Sequence, residues 1–364
     1  MRVEVVQHLG APIRQLLDWV LEGYHGLAAV GLLRSVYGLT TAGLMVTSWP
    51  DRHLFFGPTG LLSSAGLKEQ WTNEDAWSIF DLASTTSGFD VFYVFFVAVA
   101  ILTMLGIGGK PILVLQYIGT WSLFSQNSLL GDGGDNLMYI CGIFLLLTRC
   151  FDRFTVLPRE PSRRYRFRTR WIPSWLSMLT HNTGVLLIAM QVCIVYFIAG
   201  SFKMQGEMWT SGTALYYVLR NPEYHLPGIE FLFYFAFPSV VATYVTVISQ
   251  VFFPLLILFQ RTRLAAVILM MMFHLGIAVI MGLTSFGLIM LACDTIFVSH
   301  HLAKLTDKIM GRPPAPQTAP GPGTPQSSPV DAESYPLETT DRPSDNPGEQ
   351  KVSVPDGDSR KAPS

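Results

Sequence analysis

Residues 184–203 read GVLLIAMQVCIVYFIAGSFK, a run without a formal charge until it ends on Lys203. At ~1.5 Å of rise per residue, a helix of this length covers about 30 Å, the thickness of a bilayer's hydrocarbon core. The stretch therefore reads as a membrane-spanning helix, with a lysine where it leaves the hydrocarbon. Similar apolar runs recur at about 27–47, 89–108, 111–127, 135–150, 237–259, 264–283 and 285–299. Half of the 364 residues are hydrophobic and 14% are charged, against roughly 25% charged in soluble domains. The fold class expected is all-α: a polytopic helical membrane protein with about eight transmembrane helices.

Lysine and arginine set the orientation. Arg2, Arg14, Lys110, an arginine block from Arg149 to Arg170, Arg261, Arg263, Lys304, Lys308 and Arg312 all fall on one side of an eight-span chain. The other side holds Arg52, Lys68, Lys203 and Arg220 beside many carboxylates. Both termini are thus expected in the cytoplasm, with Lys203 on the outer face of the cell membrane. The arginine block fits juxtamembrane contact with anionic lipid better than nucleic acid, which is not expected as a partner. No cleavable leader pattern is visible at the start, so the first helix is expected to insert uncleaved.

Three segments follow from this reading: a cytoplasmic N-terminal segment over 1–26, a transmembrane domain over 27–300 and a cytoplasmic tail over 301–364. Twelve prolines fall within 311–364, with Ser, Thr, Gly and almost no large apolar residue. Such a tail cannot bury enough surface to offset the entropy of ordering, and disorder is expected. Cys141, Cys150, Cys193 and Cys293 have neither metal-ligand nor C-x-x-C spacing, so they read as small buried hydrophobes, with no structural disulfide and no metal expected.

Ionisable groups inside hydrocarbon are costly and call for a partner or a function. Arg34 and Asp294 lie at similar depths in the first and last spans, which suggests a structural ion pair; snorkelling of Arg34 to the inner headgroups is the alternative. His274 sits in the seventh span, either as a hydrogen-bonded interior residue or as a catalyst. The fourth span is short and follows Gly131-Asp132-Gly133-Gly134-Asp135-Asn136. A helix N-terminus there suits an anion or a polarised oxygen; equally, Asp135 suits a plain N-cap. Lys203 has two readings as well. In an apolar pocket desolvation disfavours its charged form and makes it a base, whereas Asp135 or Glu207 close by would make it an ion-pair member.

The run Tyr196-Phe197-Ile198-Ala199-Gly200, followed by Lys203 and Trp209, resembles the vitamin K-dependent γ-carboxylases and their horizontally transferred transmembrane (HTTM) domain. Gly109-Lys110, Asn127 with Gly133-Gly134-Asp135, Ser211-Gly212, and Phe273-His274 leading into Ser285-Phe286-Gly287 look similar too. The resemblance covers roughly residues 20–300 and extends to bacterial members of the superfamily. In the eukaryotic carboxylases the lysine matching Lys203 deprotonates vitamin K hydroquinone; oxygen adds, the resulting base removes the γ-proton of a peptide glutamate, and carbon dioxide captures the carbanion. Near the start of the fourth helix those enzymes carry a histidine, where this chain has Gly-Gly-Asp-Asn.

By resemblance, Lys203 and His274 are the expected catalytic residues, and Asn127, Asp135, Asn136 and Trp209 the expected contacts of a reduced quinone, menaquinol or vitamin K hydroquinone. The expected site is an aromatic and aliphatic cavity bounded by Lys203, Asn127, Asp135, Asn136 and His274. Two functions follow. One is a quinol-dependent carboxylase-like or oxygenase-like enzyme acting on a peptide. The other is a non-catalytic membrane partner in the maturation, export or immunity of a secreted peptide or small membrane protein. A transporter is disfavoured, because no inverted repeat or pair of broken helices is visible.

Overall fold

A computed structural model describes residues 11–58, 60, 77–83, 85–126, 133–156, 173–221 and 235–309. Asn127, Asp132, most of the arginine block and the tail from residue 310 lie outside the described residues. Helix α1 spans Ala11–Leu21, α2 Leu27–Thr47, α3 Thr86–Leu105, α4 Lys110–Gln126 and α5 Gly133–Leu147. The chain continues with α6 over Ser174–Lys203, α7 Ala236–Leu256, α8 Gln260–Ile280, α9 Thr284–Asp294 and α10 Ser299–Ile309. No strand occurs among the described residues.

Each apolar run of the sequence falls on a helix. Among the described residues, six helices are long and apolar enough to cross a membrane: α2, α3, α6, α7, α8 and the continuous stretch Thr284–Ile309. Helix α4 is shorter, and the 15 residues of α5 rise only about 22 Å. The protein is thus an all-α, multi-pass membrane protein, in which α4 and α5 fall short of the hydrocarbon thickness.

Local sequence explains where the helices stop. Thr85 caps α3 by accepting from the Gly88 N–H, and Gly106 ends it in the left-handed conformation at φ 75°, which a side chain would disfavour. Helices α2 and α3 pack closely because a Cβ on Gly38 would lie 2.4 Å from the Met104 nitrogen. An aromatic cluster gathers Phe56, Phe80, Phe89, Tyr93 and Phe96 around Met45 and Leu123, near the loop ends of α2, α3 and α4.

Arg34 is fully buried, but it does not pair with Asp294. Its guanidinium donates to the carbonyls of Thr103 and Phe154 and to Cys150 O at 3.2 Å, and it lies 5.1 Å from the Phe151 ring. The arginine therefore saturates carbonyls freed at the C-terminal end of α3 and in the loop after α5, a use that five N–H groups in a fixed fork serve well. Asp294 takes a different partner: the Tyr196 hydroxyl donates to its Oδ1 at 2.7 Å. The two ionisable residues do sit at one level, since Ala29, five residues before Arg34, donates its N–H to the Oγ of Ser299, five residues after Asp294. Equal depth did not give equal facing.

The N-terminal end of α6 is fixed by buried polar groups. His181 Nδ1 accepts from the Arg149 N–H at 2.9 Å, and its Nε2 faces the His25 carbonyl at 2.7 Å. The Asn182 amide donates to Val20 and Gly23 carbonyls at 2.7 and 2.8 Å. Helix α1 is thereby tied to the end of α6 opposite Lys203.

Candidate functional site

Lys203 is the last residue of α6. The chain then turns back through two short helices, Glu207–Thr210 and Ala214–Val218, which dock on α7. Tyr244 donates its hydroxyl to the Thr210 carbonyl at 2.8 Å, and Gly212, at φ 76°, lies against Val240 and Tyr244. This return brings the Trp209 ring to 5.2 Å from Lys203 Nζ. The ammonium also donates to its own helix at Ala199 O, 3.4 Å away. Among the described residues no carboxylate lies within ion-pair distance of it.

Beside Lys203 lies a cavity of about 210 Å³. Helix α6 contributes Val195, Tyr196 and Ala199; the two short helices contribute Trp209, Leu215 and Val218; α7 contributes Gln250; and α8 and α9 supply Phe273, His274, Ile277, Phe286 and Met290. The surface that these side chains, Lys203 included, present to the cavity is apolar.

His274 is 1% exposed, and neither ring nitrogen has a hydrogen-bond partner. Its ring is held by aromatics: stacked on Tyr196 at 5.6 Å, and edge-on to Phe273 and Phe286. Gln250 is 3% exposed, and its amide oxygen likewise has no partner. An unpaired buried polar atom costs roughly 1–3 kcal/mol, and in hydrocarbon such groups face a partner or a wet cavity. Three of them belong to two residues packed around one small apolar space.

Two glycines make this convergence possible. A Cβ on Gly200 would lie 2.7 Å from a Val251 methyl and 2.9 Å from the Val251 nitrogen, so the glycine lets α7 press Gln250 against α6. A Cβ on Gly287 would lie 2.7 Å from the His274 carbonyl, which brings α9 onto α8 at the histidine.

Of the residues singled out from sequence, Lys203, Trp209 and His274 line the cavity together. Asp135 and Asn136 are not among its lining residues: Asp135 is buried in the first turn of α5, and Asn136 is exposed. Asn127 lies outside the described residues. Sequence reasoning missed Gln250. Its signal was present, an amide near the middle of an apolar run, but without charge or motif it did not stand out.

Residues 62–301 match the HTTM domain. The chain belongs to the HTTM domain family. Lys203, Gln250, His274 and Asp294 lie inside the matched stretch, and Arg34 precedes it. This HTTM protein is similar to the sporulation-delaying protein SdpB of Bacillus subtilis (strain 168), 25% identical over 217 residues, 56% of this chain and 62% of that protein. It is also similar to the uncharacterized protein YitO of the same strain, 29% identical over 209 residues, 53% of this chain and 62% of that one. The chain spans about three fifths of the length of these curated relatives. No solved structure matches it.

Proposed function

We propose that this HTTM protein is a membrane enzyme that binds the ring of a reduced quinone in the cavity beside Lys203 and acts on a peptide at that face, in a carboxylase-like or oxygenase-like manner. The observation that carries the reading is an apolar cavity lined by Lys203, which among the described residues has no carboxylate within ion-pair distance, with His274 and Gln250, whose buried polar atoms lack partners, packed around it. The apolar surface of the cavity fits the flat apolar body of a hydroquinone ring. The volume is below the ~300–1,000 Å³ of drug-sized sites, so the cavity suits a ring head, leaving any isoprenoid tail to the lipid.

Bound there, a reduced quinone would supply electrons to dioxygen. The chain's own residues then have defined tasks. In its amine form Lys203 takes the hydroxyl proton of the ring, its N–H bond forming as the O–H bond breaks. Trp209, next to the Lys203 head group, limits its freedom. His274, packed against Tyr196, Phe273 and Phe286, backs the aromatic wall, which excludes water. In this reading both termini are cytoplasmic, Lys203 faces the outside, and the peptide approaches from there.

The test is oxygen consumption by purified protein given reduced menaquinone and a glutamate-containing peptide. Turnover that is lost in Lys203→Ala, with the variant still folded, is the expected result; no turnover across several quinols overturns the enzyme reading. One observation favours the non-catalytic role in peptide maturation, export or immunity. Asp135 and Asn136 stand where the carboxylases carry a histidine, yet they do not line the cavity.

A further inference from the structure

Helix α10 reads SHHLAKLTDKI over Ser299–Ile309, and both of its ends are held at the first turns of α2. Ser299 Oγ accepts from the Ala29 N–H. Asp307 pairs with Arg153, whose carbonyl would lie 3.0 Å from a Cβ on Gly31. The helix therefore stays against the end of the bundle from which α2 starts, instead of projecting away from it.

At 3.6 residues per turn, the side chains of α10 sort into three strips. Ser299, Leu302, Ala303, Thr306 and Asp307 are half-buried and form the strip packed on the bundle. His300, Lys304 and Lys308 follow one another at intervals of four and make an exposed cationic row. Beside that row lie Leu305 and Ile309, one turn apart, 56% and 75% exposed. The one carboxylate of α10, Asp307, is on the packed strip and is neutralised by Arg153. The open face thus offers an apolar edge and two lysines, with no acid among them.

Such a face fits the boundary between acyl chains and phosphates, where leucine and isoleucine enter hydrocarbon and lysine lays its stem along it with the ammonium in the headgroups. We propose that the open face of α10 docks on an anionic phospholipid layer, Lys304 and Lys308 meeting headgroup phosphates while Leu305 and Ile309 enter the acyl boundary. Charge complementarity selects this occupant. A zwitterionic layer offers the same apolar boundary without net charge, so α10 discriminates lipids by headgroup. The anionic leaflet of a cell membrane is the cytoplasmic one, which is the side to which the lysines and arginines of this chain assign α10. The proposal is independent of what the cavity beside Lys203 binds.

The experiment places a fluorophore on the full chain through Leu305→Cys, in phosphatidylcholine nanodiscs doped with brominated phosphatidylglycerol or brominated phosphatidylcholine. Cys141, Cys150 and Cys293 are buried, and protein without the Leu305 exchange, treated in parallel, gives the background. Quenching by the two brominated lipids yields the relative association constant at α10. The expected preference for phosphatidylglycerol is roughly 25-fold, about fivefold for each lysine near an anionic surface. It should fall towards one when Lys304→Gln and Lys308→Gln are combined, an exchange of two exposed side chains that leaves the packing alone. Inorganic phosphate should not change it. A wild-type ratio near one shows a purely apolar contact, an unchanged ratio in the double variant places the lipid elsewhere, and a ratio abolished by phosphate shows a site for soluble anions; each overturns the proposal. A label at Ile309→Cys guards against disturbance by the first, and absence of quenching at both positions overturns the proposal as well.

Discussion

The Tyr196 hydroxyl donates to Asp294 Oδ1 at 2.7 Å, joining α6 to α9 where both residues are buried. The same tyrosine ring forms the face on which His274 stacks. Asp294 thus acts on the cavity at one remove, by fixing the ring that supports the histidine. Its second oxygen has no partner, so the hydroxyl is the bond that offsets the cost of placing a carboxyl there. Tyr196→Phe should lower stability by about 1–3 kcal/mol, read as a lower melting temperature in detergent, while Asp294→Asn, which keeps an acceptor, should stay closer to wild type. A Tyr196→Phe protein that melts with the wild type would show that the bond contributes nothing.

Arg34 and Asp294 should behave as independent sites. Arg34→Met removes the buried donor to the Thr103, Cys150 and Phe154 carbonyls and is expected to cost several kcal/mol, in the range for removing a buried charged hydrogen-bond donor. Combined with Asp294→Asn, the two effects should add to within about 0.5 kcal/mol. A coupling energy well above that would mean the two side chains interact after all.

Much of this architecture was legible in the sequence, for a definite reason. Run length and charge placement are one-dimensional signals, and the membrane converts them into depth. That is why all eight apolar runs fall on helices, and why Lys203 and His274 could be put near one another. Depth does not fix the rotation of a helix about its axis. Arg34 and Asp294 are level yet face different neighbours, and Asp135 shares an end of the bundle with Lys203 without reaching the cavity. Gln250 depends on a contact between Gly200 and Val251 that exists only once α6 and α7 are packed.

Gly200 is where that packing can be tested. The Cβ of Gly200→Ala would meet backbone and side-chain atoms of α7 at 2.7 to 3.1 Å, closer than real contacts allow. Helix α7 must move outward and carry Gln250 with it. The expected outcome is a destabilisation of about 1–3 kcal/mol, typical of overpacking, together with weaker binding of reduced menaquinone. Retained binding with unchanged melting would show that the close approach is dispensable.

Neutralising Lys203 should leave stability intact. With no carboxylate beside it among the described residues, Lys203→Met breaks no ion pair and strands no buried charge, so a change in melting free energy below about 0.5 kcal/mol is expected. A loss of several kcal/mol would indicate an ion-pair role and argue against the lysine as a base.

Orientation is the remaining expectation, and the fold sharpens it. Lys110 donates to the Leu146 carbonyl, Arg153 pairs with Asp307, and the start of α2 meets Ser299, so these cationic segments gather at one end of the bundle. Lys203 and Trp209 close the other end, because α6 runs from His181 and Asn182 beside the first group to the cavity beside the second. The side richer in Lys and Arg is the cytoplasmic one for most multi-pass proteins. A reporter fused at Gly311 should therefore read cytoplasmic, and one inserted at Ser84, ahead of α3, external. Because the bundle fixes which segments share an end, the two reporters must disagree whichever way the protein inserts. A tail found outside would invert the whole molecule, place Lys203 in the cytoplasm, and rule out chemistry on a peptide at the outer face.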